Sequence, residues 1–210
     1  MTPPALFEAL TPLITPGIAR EFGRYDDCCI LATRVALEVA AYFGIEATAA
    51  AVQVVLLNRA FAAHVVEGDA DIDKWLPIDG SYSVGIGCGF RPGQDRDGRW
   101  NGHLILLAPG GFADFAIRQA ERLQHGIVTG PAVVGPRSTD ARSWSMVHPG
   151  HGTEIHYKLT SDLTYRVSPD WRDAGRRRRI SGPIIRELTK NGPAQIASGP
   201  SAQGLNPPSV

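Results

Sequence analysis

Two cysteines, Cys28 and Cys29, stand where the polar stretch Arg24-Tyr25-Asp26-Asp27 gives way to a long apolar run ending at Gly44. The run reads as a helix over 28–43. Asp26 or Asp27 serves as N-cap, because a carboxylate can accept unpaired first-turn N–H groups, and Gly44 serves as the C-terminal stop. At 100° per residue, Arg34, Glu38 and Tyr42 define a polar face. Cys29 lies opposite them with Ala32, Ala36, Ala40 and Phe43, so it points inward from the first turn. Cys28 lies about 100° away and is the alternative nucleophile. The first turn offers unbonded N–H groups and the positive end of the helix dipole, and both favour a thiolate over a thiol. The same N–H groups can stabilise the oxyanion formed when a thiolate attacks a carbonyl. Most buried cysteines are simply small apolar residues, so the chemistry needs partners.

A thiol nucleophile needs a base, and the base needs an orienting group. His103, in Trp100-Asn101-Gly102-His103, leads directly into the apolar Leu104-Ile105-Leu106-Leu107. Asp114 follows eleven residues later, between Ala113 and Phe115. A carboxylate in that setting is costly to bury unless it is paired, and an imidazole would pair it. The competing role for Asp114 is to cap the short helix expected at 117–123. Whether the pair forms depends on hairpin register. A four-residue loop over 107–110 puts Asp114 opposite His103. A two-residue turn at Gly110-Gly111 puts it opposite Leu107, about 13 Å from His103 at the usual rise per residue. The pair therefore requires the wider loop or a bulge.

Helix 28–43 and the hairpin 104–107/112–115 are the elements that must position these residues. A helix at 5–14, broken by Pro12, comes before them. A buried strand is expected at 51–58, a strand whose glycines mark a bulge at 81–90, and further strands at 131–134, 143–148 and 154–159. Residues 91–100 read as a polar loop. The order, helices first and then mostly antiparallel strands, is α+β.

The order of Cys29-Ile-Leu-Ala-Thr-Arg34, Gly102-His-Leu-Ile105 and Asp114-Phe-Ala-Ile-Arg-Gln119 resembles the transglutaminase-like branch of the papain-like thiol enzymes. Arylamine N-acetyltransferases share that order. The chain is also similar to uncharacterised proteins of actinobacteria and their phages. The resemblance covers roughly residues 20–160 and rests on short motifs. It implies a papain-like α+β fold, with the cysteine-bearing helix packed on an antiparallel sheet. It further implies Cys29 as nucleophile, His103 as base and Asp114 as orienter, acting on an acyl, amide or thioester bond of a protein or small substrate. The alternative is a non-enzymatic phage or bacterial interaction protein on the same fold.

Other constellations compete less well. His148, His151, Glu154 and His156 fall within nine residues and could ligate zinc, but Pro149, Gly150 and Gly152 exclude a helical metal motif. The expectation is that no metal is held there and that the histidines flank a turn. Gly85-Ile-Gly-Cys88-Gly89 lies in a strand pattern and is no phosphate loop, and Cys88 reads as a small residue at a close approach of backbones. No cofactor is implied. Arg176, Arg177, Arg178 and Arg179 could make weak anion or nucleic-acid contacts. Against a dedicated nucleic-acid binder, 21 Lys and Arg balance 21 Asp and Glu.

The chain has 210 residues, 43 % hydrophobic and 20 % charged, enough for one core. Residues 1–171 are read as a single domain of catalytic type. Residues 172–190 form a basic segment, with a helix at 184–190. Residues 191–210 carry no charge and are half Gly, Pro or Ser, a composition that predicts a disordered tail. No stretch is long and apolar enough for a transmembrane helix, and no basic region precedes the first apolar residues as in a secretory signal. Three cysteines are no disulfide scaffold, which suits reduced thiols and a cytoplasmic location.

Overall fold

A computed structural model describes residues 1–23, 28–63, 80–87, 100, 102–148 and 150–191. The chain is α+β. Helix α1 (Pro3–Phe22) comes first and helix α2 (Cys29–Tyr42) second. The chain then enters the sheet through β1 (Thr48–Leu57), a short helix α3 (Arg59–Ala62) and β2 (Ser83–Ile86). The hairpin β3 (His103–Ala108) and β4 (Gly111–Asp114) follows, then β5 (Val133–Pro136), β6 (Ser143–Val147) and β7 (Glu154–Leu159). Helices α4 (Pro169–Arg172) and α5 (Ala174–Asn191) close the described chain.

All strand pairs are antiparallel, in the order β5-β4-β3-β1-β7-β6, with β2 also on β1. Strand β1 is central. It pairs along one side with β3 and then β2, and along the other with β7. Both of its sides are buried, which is why it reads as an almost unbroken Ala/Val/Leu run. Ala51, Leu104, Leu106, Ala113 and Phe115 meet the helices. Val52, Val54, Ile105, Phe112, Ile155 and Tyr157 form a second core on the other face. The sheet curls around that second core. Phe112 of β4 packs 5.2 Å from Trp144 of β6, and Trp144 stacks on Tyr157 at 5.2 Å.

Helix α1 runs unbroken through Pro12 and Pro16, where a break at Pro12 is expected from sequence. Both prolines are exposed, as are Glu8 and Pro12, whose carbonyls lose their intrahelical donor. Water can serve those carbonyls, while the opposite side (Leu6, Leu10, Ile14 and Ile18) is fully buried. Helix α5 begins ten residues before the expected 184. Its Ile180, Ile184 and Leu188 enter the helix-side core. At the α1–α5 crossing, a Cβ on Gly17 would come 3.1 Å from Ile180 Cγ2, so glycine lets the two helices approach. Where one helix over 117–123 is expected, two short 3₁₀ turns form, Ile117–Ala120 and Leu123–His125, with a break at Glu121 where the backbone is extended. Helix α2 starts one residue later than expected, with Cys28 rather than Asp26 or Asp27 at its cap position. Asp26 and Asp27, most of loop 91–100, Cys88 and the tail from 192 onward lie outside the described residues.

Candidate active site

Cys29 is the first residue of α2, and Cys28 occupies the cap position with φ −100° and ψ 13°. The first bond of the helical ladder runs from Ala32 N–H to the Cys28 carbonyl at 2.8 Å. The N–H groups of Cys29, Ile30 and Leu31 therefore precede the ladder and point out of the helix end. Cys29 is buried and Cys28 half-buried, as the helical phase predicts. Ala32, Ala36 and Ala40 are fully buried beneath the helix. The Thr33 hydroxyl donates to the Leu104 carbonyl at 2.9 Å, which fixes α2 alongside β3. The Cys29 sulfur faces the start of that strand, 4.0 Å from the Gly102 carbonyl oxygen.

His103 opens β3 and has no exposed surface, and neither has Asp114 at the end of β4. Their side chains meet: the Nε2–H of His103 donates to Asp114 Oδ2 at 2.7 Å. The register that achieves this is neither of the two considered from sequence. Ala108 pairs with Gly111, Leu107 with Phe112 and Leu106 with Ala113, around a two-residue turn at Pro109-Gly110. Gly110 supplies the left-handed conformation of the turn, φ 78°. Continuing the register puts Asp114 opposite Ile105, so His103 is its diagonal neighbour on the same face. Diagonal partners are about 7–8 Å apart at the backbone, which an imidazole and a carboxylate bridge together. The wider loop or bulge expected from sequence is not needed.

Asp114 also performs the competing role. Its Oδ1 accepts the Ala116 N–H at 3.1 Å, which starts the 3₁₀ turn Ile117–Ala120. Its Oδ2 accepts a second donor, the Tyr157 hydroxyl, at 3.2 Å. The other imidazole nitrogen, Nδ1, meets Gln119 Nε2 at 2.7 Å. Gln119 and Tyr157 were not singled out from sequence. Gln119 closes the motif Asp114-Phe-Ala-Ile-Arg-Gln119, so its spacing was visible. Tyr157 reaches the site through strand pairing from 43 residues away, and nothing local marks it.

Burial disfavours a charged imidazole, but the adjacent Asp114 carboxylate outweighs it by charge and hydrogen bond. Cys29 adds to that effect in the same two ways, and His103 is pushed up to about 10. Burial, followed by the charge and hydrogen bond of Asp114, holds the Tyr157 phenol well above its usual range. Tyr157 is thus a donor at all ordinary pH values.

Trp100 packs against Gly102, the residue whose carbonyl the Cys29 sulfur faces. A Cβ on Gly102 would come 2.3 Å from the indole ring, and Nε1 donates to Asp162 Oδ2 at 2.8 Å. Tyr165 and Trp171 continue from the indole edge-to-face, and Arg34 of α2 lies over Trp171 at 4.9 Å.

The other sequence candidates fall elsewhere. The rings of His148 and His151 lie 5.5 Å apart at the β6–β7 turn, while His156 pairs with Glu154 at 3.2 Å. Among the described residues, no three His, Cys, Asp or Glu side chains are placed to hold a metal ion. Three of the four consecutive arginines engage this chain. Arg176 pairs with Asp170, Arg177 with Glu38 at 3.6 Å, and Arg179 with Glu21. No helix among the described residues is long and apolar enough to cross a membrane. No family model, curated protein or solved structure matches the chain.

Proposed function

We propose that the chain is a thiol enzyme of the papain-like, transglutaminase-like architecture, acting in the cytoplasm on an acyl, amide or thioester bond. The observation that carries this reading is the buried Cys29–His103–Asp114 cluster, with the cysteine at a helix N-terminus and the carboxylate 2.7 Å from the imidazole. Cys29 attacks the substrate carbonyl. His103 accepts the thiol proton and later returns one to the leaving group. Asp114 holds the ring in one tautomer and stabilises the imidazolium. The N–H groups that precede the α2 ladder stabilise the oxyanion. Transfer of the acyl group to water makes the enzyme a hydrolase, and transfer to an amine makes it a transferase.

A non-enzymatic interaction module is the second reading. The complete burial of His103 favours it, since a base must meet its substrate. A panel of electrophilic acyl and amide probes, with the labelled residue located by mass spectrometry, separates the two. The enzyme reading expects covalent labelling at Cys29 that is lost in Cys29→Ala and kept in Cys28→Ala. Labelling at Cys28, or at neither cysteine, contradicts it.

A further inference from the structure

Two thiols stand on consecutive residues, and the proposed chemistry uses one of them. Neither Cys28 nor Cys29 is in a disulfide. Cys29 is buried, its sulfur 4.0 Å from the Gly102 carbonyl oxygen, and it hydrogen-bonds the protonated ring of His103. Peroxide oxidises the thiolate form of a cysteine, and a cation beside the sulfur favours that form. Cys28 is half-buried at the cap of α2 and makes no side-chain capping bond there. The N–H groups of Cys29, Ile30 and Leu31 precede the helical ladder. A twist of the 28–29 peptide therefore strains first the bond from the Ala32 N–H to the Cys28 carbonyl, at 2.8 Å. Beyond it, the Thr33 hydroxyl still holds α2 to the Leu104 carbonyl at 2.9 Å.

We infer that Cys28 is the resolving thiol for oxidation of Cys29, closing a disulfide between consecutive residues that blocks the nucleophile reversibly and shields it from irreversible oxidation. The inference rests on the thiol-enzyme reading above, which makes Cys29 the reactive thiol. The oxidant is hydrogen peroxide. The Cys29 thiolate attacks one peroxide oxygen, the O–O bond breaks, hydroxide leaves and a sulfenic acid remains. The Cys28 sulfur then attacks the Cys29 sulfur. The S–S bond forms, the S–O bond breaks, and the departing hydroxide takes the Cys28 thiol proton as water. Overall, two thiols and one peroxide give one disulfide and two waters. Consecutive Cα atoms lie about 3.8 Å apart, below the roughly 4.4–6.8 Å of ordinary disulfides. The bond is strained, so a dithiol reduces it readily.

The test treats the full-length chain with hydrogen peroxide, caps remaining thiols with iodoacetamide and analyses the tryptic peptide Tyr25–Arg34, which carries both cysteines. The wild-type peptide should emerge uncapped and lighter by two hydrogens, and dithiothreitol should restore capping at both sulfurs. Cys28→Ser has no resolving thiol, so prolonged exposure should carry its Cys29 to sulfinic acid, which dithiothreitol does not reverse. Sulfinic Cys29 beside a capped Cys28 in the wild type overturns the inference. So does a disulfide to Cys88 or to a second chain, or a peptide that peroxide leaves unchanged. The underlying reading is scored separately, by Cys29 alkylation below pH 8 in wild type and His103→Ala. Alkylation that depends on His103 without the disulfide leaves the enzyme reading standing and removes only this inference.

Discussion

At the residue scale, Asp114 organises the site because its two oxygens accept three donors: the His103 ring, the Tyr157 hydroxyl and the Ala116 N–H. Tyr157→Phe removes one of these from a fully buried carboxylate. We expect a loss of about 1.5–3 kcal/mol, the usual worth of a hydrogen bond to a charged group, read by denaturant unfolding. The imidazole adds a pH dependence of defined sign. Its value in the folded chain, about 10, lies above the ordinary 6.5. The stability it contributes is fully present below pH 6.5 and is lost as pH rises towards 10. Unfolding curves between pH 6.5 and 10 should show this decline, and Asp114→Asn should flatten it. Cys29, His103 and Asp114 were legible in the sequence because each is a polar or reactive group against an apolar stretch. Tyr157 was not, because an aromatic residue at an inward strand position looks like core whether or not its hydroxyl is used.

At the scale of elements, two contacts aim the helix end at the strand start. Thr33 fastens α2 to the Leu104 carbonyl in a buried hydrogen bond. Thr33→Val keeps the shape and removes that buried bond, so a loss of about 0.5–1.5 kcal/mol in unfolding free energy is expected. Gly102 leaves room for Trp100, and Gly102→Ala would place a Cβ 2.3 Å from the indole. The indole must then move and give up its bond to Asp162, so weaker probe labelling of Cys29 and a lower Tm are expected together. Strand identities were largely readable from Val- and Leu-rich runs, and 154–159 was read to its ends. The hairpin register was not. Gly110 and Gly111 both suit a tight turn, and one step in its placement moves each strand partner by two residues. The continuity of α1 was hidden for a different reason: proline propensity speaks for the isolated chain, whereas here both rings face water and packing holds the helix.

At the scale of the whole molecule, the basic segment is part of the structure that carries the site. Helix α5 presents Ile180, Ile184 and Leu188 to the core, and its arginines reach Asp170, Glu38 and Glu21. Arg177 is buried and donates to the Trp171 carbonyl at 2.8 Å, while Arg178 is exposed. Arg177→Ala should cost about 1.5–3 kcal/mol, whereas Arg178→Ala should fall within about 0.5 kcal/mol of wild type. Equal effects would show that the run acts as a surface charge patch. Counting charges could not separate these arginines, because the sequence does not say which acids α5 will meet.

The central claim is that Cys29 is a nucleophile coupled to His103, and the most direct test is the rate of Cys29 alkylation against pH in the intact chain. The account predicts measurable reaction well below pH 8, and suppression of that low-pH reaction in His103→Ala. A rate that rises only around the ordinary thiol value of about 8.5, unaffected by His103→Ala, would contradict it, as would a thiol that does not react at any pH.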